Sequence, residues 1–439
     1  MCDTPDKIKE LRTPRRGGIL HLRWRISREA EETNMRAYKR LLEYVRINTQ
    51  SNEDSGTHPS FPGEFDLAKK LVDELDQMGI KAELDDKCYV MAKLDATKGY
   101  EDLPTLGLIA HMDTAPAYSG CDIKPIIREN YDGGDVVYPC GKIMKTDDFP
   151  HLKKLAGQTL ITSDGTTLLG ADDKAGVSEI MTAIETIIKE ERPHGPLAIA
   201  FTPDEEIGEG ADNFDVEKFG ATYAYTVDGG DVDAIEYENF NAADAVIVIH
   251  GVSVHPGTAK GVMINAANVA HEFHAMLPEN MRPEHTEGYE GFYHLTDITA
   301  DCVSAKLHYI VRNHDKKLFE DMKKKLEECA GAINDKYGEG TAQTIITDSY
   351  YNMLDMIKPH MHLIDAAKNA IRSTGLEPVE VPIRGGTDGA RLSYMGLPCP
   401  NLGTGGFNYH GPFECTTAER MDKATEVILN IIHQMTFRQ

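Results

Sequence analysis

The sequence predicts an α/β domain interrupted by a smaller α+β domain, and three observations predict it. The chain has 439 residues, too many for one ordinary hydrophobic core. Short apolar runs alternate with amphipathic helical stretches, the pattern of a sheet covered on both faces. Near residue 239 this alternation gives way to a β-α-β-β-α-β order, and it returns after about 352.

Residues 35–48 and 64–79 carry apolar side chains at helical spacing, and the second stretch, EFDLAKKLVDELDQMG, ends at Gly79, a helix stop. Strand-like runs follow at 88–94, 105–110, 197–202 and 222–227. Between the second and third of these, Val177, Ile180, Met181, Ile184, Ile187 and Ile188 recur at helical spacing over 175–191. In the interrupting segment ADAVIVIHG reads as a strand and INAANVAHEFHAML as a helix. Strands at 292–299 and 303–312, the long charged helix KKLFEDMKKKLEECAGAIND and a last strand at 343–348 complete it. A helix at 361–373 then precedes the glycine-rich stretches RGGTDGA and GTGGFNYHG. The α/β domain is therefore expected at 35–238 and 352–439, and the insert at 239–351. Residues 1–34 look foreign to both. RTPRRGGILHLRWRISR is basic, holds Trp24, the single Trp, and is too sparsely apolar for a signal peptide. It reads as a disordered native tail or as an added or upstream-derived segment, with the fold beginning near Met35.

A net charge of -25 argues against nucleic acid as a partner, because phosphates would be repelled. No apolar stretch approaches the roughly 20 residues that cross a bilayer, so no membrane association is expected. The 8 cysteines are scattered without a CxxC pair. That argues against a disulfide framework or a thiolate zinc site, and for a reducing, cytoplasmic setting.

Several residues could carry chemistry. Glu205 and Glu206, just past the 197–202 strand, are adjacent carboxylates that repel unless a cation sits between them or one is protonated. TLGLIAHMDTAP ends a strand in His111 and Asp113, two apart and so on one side of an extended chain. An imidazole that binds a metal usually has its other nitrogen fixed by a carboxylate. LLGADDKAGVSEI places Asp172 and Asp173 at a helix start, where they could cap the helix or bridge two cations. Asp228 follows the 222–227 strand, and His410 lies in a glycine-rich loop. Alone, each has an ordinary explanation as a turn, cap or surface loop. Together they gather at the carboxyl ends of strands, where open α/β sheets bind ligands. Two His and three carboxylates without thiolate suit zinc or a similar divalent ion, and with one carboxylate bridging they can hold two. Spacing leaves open which of Glu205 and Glu206 is ligand and which is base, and whether Asp172 or Asp173 bridges.

These residues, in this order, resemble the M20 metallopeptidases, and within them an aminotripeptidase subgroup. The resemblance runs from about Met35 to the C-terminus through GQTLITSDGTTLLGADDKAG, FTPDEEIGEGADNFD, VHPGTAKGVMINA, TEGYEGFYHL, PIRGGTDGA and GLPCPNLGTGGFNYHG. It implies a zinc-peptidase-like catalytic domain with a mixed sheet and a ferredoxin-like lid domain at 239–351. It implies His111, Asp172, Glu206, Asp228 and His410 as ligands of two zinc ions per subunit, with Asp172 bridging. Asp113 would orient His111, and Glu205 would be the general base. In the lid, His255 would contact the substrate carbonyl and Arg312 the substrate's C-terminal carboxylate, with Asn265 and Arg384 also near substrate. The implied reaction is removal of the N-terminal residue from tripeptides. Homodimerisation through the lid is an accompanying option. The alternatives are another M20 hydrolase (dipeptidase, carboxypeptidase or N-acyl amino-acid deacylase) or a non-catalytic peptide-binding protein.

Overall fold

A computed structural model describes residues 35–437. The expectations for residues 1–34 lie outside the described residues. The chain forms two compact units. The first comprises the chain up to Glu236, Ile357–Glu380 and the part from Leu392 onward; the second comprises Tyr237–Met356 and Val381–Arg391.

The first unit is built on an eight-stranded mixed sheet. Its order is Ala82–Leu84, Val90–Leu94, Leu197–Thr202, Leu106–His111, Tyr223–Gly229, Asn401–Gly403, Ala234–Glu236 and Val379–Glu380. The strands Leu197–Thr202, Leu106–His111, Tyr223–Gly229 and Asn401–Gly403 run parallel to one another, so their carboxyl ends share one edge. LGLIAH and LAIAFT are buried along their whole length, as parallel strands covered on both faces must be. Helix Glu64–Gln77 buries Leu67, Ala68, Leu71 and Leu75, a stripe at helical spacing, and stops before Gly79 in the left-handed region.

Helix Ala171–Lys189 starts four residues before the apolar repeat that predicted it at 175–191. Its first turn is irregular, with Gly170 left-handed and Asp172 and Asp173 outside helical geometry. Gly176 lets this helix approach the sheet, since a Cβ there would lie 1.8 Å from the Val227 carbonyl oxygen. Helix Ala418–Phe437 packs on it and on helix His362–Ser373. The strands of a small sheet, Ile126–Arg128, Leu160–Thr162 and Cys415–Thr417, are too short to show an apolar period in the sequence.

The second unit follows the β-α-β-β-α-β order. Its antiparallel sheet is arranged Phe292–Ala300, Ser304–Asn313, Asn241–His250, Ala342–Tyr350, with helices Ala266–Ala275 and Lys316–Tyr337. Alternate residues Ala243, Ala245, Ile247 and Ile249 join Ala305, Leu307, Tyr309 and Val311 on one face. There they pack with Phe273, Phe319, Leu326 and Ile333 of the helices. The segment Val381–Arg391, assigned from sequence to the returning α/β domain, clusters instead with this unit. Its backbone explains why: Ile383 bridges Asn239 and accepts from His314 Nε2, and the Arg384 carbonyl accepts from Arg312 Nη1. Among the described residues, no helix is long and apolar enough to cross a membrane.

Candidate metal centre

Three parallel strands end where the expected ligands begin. His111 is the last residue of its strand and registers with Thr202 of the next. Beyond Thr202 the chain turns through Asp204, in the left-handed region, into a short turn of helix at Glu205–Ile207. Asp228 lies near the end of the neighbouring strand, and its N–H is held by Asn401 Oδ1 at 3.2 Å.

The side chains converge as two trios that share Asp172. His111 Nε2 lies 3.0 Å from Asp172 Oδ1 and 3.4 Å from Asp228 Oδ1. His410 Nε2 lies 3.0 Å from Asp172 Oδ2 and 3.0 Å from Glu206 Oε2. His111 with Asp172 and Glu206, and His111 with Glu205 and Asp228, offer ligand atoms within 4.8 Å of one another. A divalent ion about 2.0–2.2 Å from each donor asks for spacing of that order.

The pairs that spacing left open differ in what they face. Asp172 presents one oxygen to each imidazole. Asp173 instead accepts the backbone N–H of His111 and of Gly176, each at 3.2 Å. Glu206 Oε2 meets His410, and its Oε1 is buried without a hydrogen-bond partner, an orphaned acceptor pointing to a cation. Asp113, fully buried, links the set. Its Oδ1 lies 3.2 Å from His111 Nδ1 and accepts Glu205 N–H at 3.0 Å, while Oδ2 accepts Glu206 N–H at 3.1 Å. Accepting from Nδ1–H leaves His111 Nε2 as the ligand atom.

The electrostatics carry the same demand for positive charge. Asp172 is held well below the usual carboxylate range: burial opposes this, but the hydrogen bonds from His111 and His410 outweigh it. Burial and then the Asp172 charge push Glu206 up to about 8, and burial pushes Asp228 up to about 6. Hydrogen bonds to Asp172 and Glu206 raise His410 to about 11, and Asp228, Asp113 and Asp172 raise His111 despite its burial. Six carboxyls (Asp113, Asp172, Asp173, Glu205, Glu206 and Asp228) crowd two imidazoles, and added cations would favour the ionised forms of Asp173, Glu206 and Asp228, which burial raises. The residues therefore fit a divalent-metal centre.

Around the cluster lies a shell that the sequence analysis did not identify. Glu414 accepts four consecutive backbone N–H groups from 169–172. Asn401 is itself held by Glu236 Oε2 at 2.8 Å, and the hydroxyl of half-buried Tyr409 donates to the Gly229 carbonyl at 3.1 Å. Glu414 follows His410 by four residues, but a lone Glu in a loop gives no sign of where its carboxylate points. A separate group, His58, Asp204 and Glu209, is also close enough for a metal. There Asp204 accepts Ser60 N–H with both oxygens and lies 3.1 Å from His58 Nδ1, so it braces the turn leading into Glu205.

The four residues expected near substrate all belong to the second unit. His255 is exposed, and its Nδ1 accepts Gly257 N–H at 3.1 Å. Asn265 caps helix Ala266–Ala275 by accepting Asn268 N–H at 3.3 Å. Arg312 keeps a buried Nε without a partner. Arg384 engages Gly288, Glu290 and Thr286 through both terminal nitrogens, clamping the loop 286–290.

An α/β unit with histidines and carboxylates at its strand ends, interrupted by an α+β unit, is the architecture of the M20 peptidases. The profile of the peptidase dimerisation domain matches residues 237–341. Aminopeptidase PepT from Bacillus cereus superposes with a TM-score of 0.73 at 23% identity, covering 91% of this chain and 98% of that one. A dinuclear metal binding peptidase of the M20 family from Bacillus subtilis gives 0.62 at 17% identity, covering 92% and 99%. In sequence, peptidase T of Alkaliphilus oremlandii is 53% identical over 399 residues, 90% of this chain and 98% of the relative. The chain belongs to the peptidase T family.

Proposed function

We propose that this protein removes the N-terminal residue from tripeptides by metal-dependent hydrolysis. The observation that carries the reading is the shared Asp172, with one carboxylate oxygen toward each imidazole and a further acid beside each. His111, Asp172 and Asp228 would hold one zinc ion, and Asp172, Glu206 and His410 a second. Bound there, the pair would acidify a water and polarise the scissile carbonyl. Glu205 takes the proton of the attacking water and delivers it to the leaving amine. Asp113 fixes the His111 ring and, through the Glu205 and Glu206 N–H groups, sets base and ligand relative to it.

In the lid, His255 donates to the developing oxyanion and Arg312 grips the far carboxylate of the peptide, measuring its length. Asn265 shapes the same subsite from its helix cap, and Arg384 serves it by bracing the 286–290 loop and offering its carbonyl to Arg312. Pairing of subunits through the second unit accords with the dimerisation profile over 237–341. A cytoplasmic setting accords with the free cysteines among the described residues.

The test is a tripeptidase assay with and without chelator, with zinc titrated back and metal counted per chain. Activity on tripeptides that is lost to chelator and restored at two zinc ions per chain is expected. Preference for dipeptides or acylated amino acids, or full activity at zero metal, overturns the reading.

A further inference from the structure

Glu414 is buried, with 1% exposure, and is used by no step of the reaction above. Its Oε2 accepts Leu169 N–H at 2.8 Å and Gly170 N–H at 3.0 Å. Its Oε1 accepts Ala171 N–H at 2.6 Å and Asp172 N–H at 3.1 Å. The first N–H groups of a helix have no partner within it and need one from outside. Here a single carboxylate supplies the first two, Ala171 and Asp172, and also the two residues that lead into them, over a turn that is not regular. Gly170 is left-handed at φ 75°, and Asp172 has φ -83° and ψ 107°. That turn aims Asp172 away from the helix and toward the two imidazoles.

Position in the chain adds a second point. Glu414 lies four residues beyond His410 and immediately precedes the strand Cys415–Thr417, which pairs with Leu160–Thr162. It is thus anchored by a sheet on one side and joined to the His410 loop on the other. One carboxylate ties together the two segments that bring Asp172 and His410 within 3.0 Å.

We propose that Glu414 is a positioning residue that preorganises the 169–172 turn, holding Asp172 in bridging orientation before any cation arrives. The inference rests on the divalent-ion reading of the centre, but one of its two tests does not. In wild-type protein stripped by chelator, the amides of Leu169–Asp172 keep slow hydrogen exchange, within about tenfold of the zinc-loaded protein. Fast exchange there would show that the ion, not Glu414, orders the turn, and would overturn the proposal even if the chain cleaves tripeptides well.

The second test titrates Co²⁺ into Glu414→Gln and Glu414→Asp. The amide of Glu414→Gln keeps one acceptor and confronts the remaining N–H groups with a donor. It should bind Co²⁺ about 10–100-fold more weakly than wild type, with shifted visible absorption bands. A mere loss of fold stability would lower the melting temperature without altering the bands of the folded fraction. Glu414→Asp, which restores the charge, should recover part of the affinity. Wild-type Co²⁺ affinity and spectrum in Glu414→Gln overturn the proposal. If Glu414→Gln does not fold, the exchange measurement on wild type decides. Wild-type protein that binds no Co²⁺ sinks the divalent-ion reading and leaves exchange as the judge of the turn.

Discussion

Replacing Asp113 with Asn should uncouple the metal centre from its base. The carboxylate is fully buried and faces three donors: His111 Nδ1 and Glu205 N–H on Oδ1, and Glu206 N–H on Oδ2. An amide of the same shape retains one oxygen. If that oxygen serves His111 and Glu205, the new NH₂ opposes the Glu206 N–H; if it is flipped, the NH₂ opposes the other two. Either way at least one buried donor loses its acceptor, at about 1–3 kcal/mol. His111 also loses the anionic partner that raises its basicity, and partners of this kind are worth about 10–100-fold in metal affinity. At about 1.4 kcal/mol per tenfold, that is about 1.4–2.8 kcal/mol, and it overlaps the first term because the same bonds contribute to both. A combined loss of about 2–4 kcal/mol means kcat/KM lower by roughly 30–1000-fold. The assay pairs tripeptide kinetics at a fixed free zinc concentration below saturation with zinc affinity by competition against a chromophoric chelator. Both should fall. An Asp113→Asn enzyme within threefold of wild type in both would refute the idea that this carboxylate organises the site.

Glu205→Gln should cut kcat by about 10²–10⁴-fold with metal content kept, as removal of a base and not of a ligand requires; equal loss of zinc in elemental analysis would reassign it as a ligand. Arg312→Ala should weaken kcat/KM for free tripeptides by about 10–100-fold while hardly touching C-terminally amidated ones, because only the former offer a carboxylate. Equal losses on both would remove its role as a ruler. Stability should fall in mild acid: burial pushes both His314 and His433 down to about 4. The unfolded chain protonates these rings near 6.5, before the folded one does, so stability declines as pH drops from about 6.5 to about 4 and the contribution levels off below. Urea melts across that range should show a decline that flattens in His314→Asn/His433→Asn; an unchanged slope in the double variant would point to other groups.

How much the sequence revealed depended on whether a residue's task was local. Strands such as LAIAFT announced themselves because burial on both faces demands an unbroken apolar run. The α+β order of the insert was legible because each element keeps its own period. The reassignment of 381–391 was not: RGGTDGA has no periodicity, and its place is set by contacts of Ile383 and Arg384 with residues some seventy positions away. In the centre, residue types alone suggested a metal. Choosing Asp172 over Asp173 required knowing that one carboxylate turns to backbone N–H groups and the other to imidazoles. Glu414, Asn401 and Tyr409 stayed hidden for the same reason, since each acts on backbone hundreds of residues distant or across a strand pairing that composition does not encode.

The strand Asn401–Gly403 lies between Tyr223–Gly229 and Ala234–Glu236, which were synthesised long before it. While the protein is still emerging from the ribosome, those two strands have a gap between them, each with an unfilled row of backbone donors and acceptors. The stretch 401–410 brings the missing strand and His410 together. Nascent chains and nonsense products that stop before residue 401 thus share a vulnerable open sheet edge, and competence for metal waits until His410 has been made.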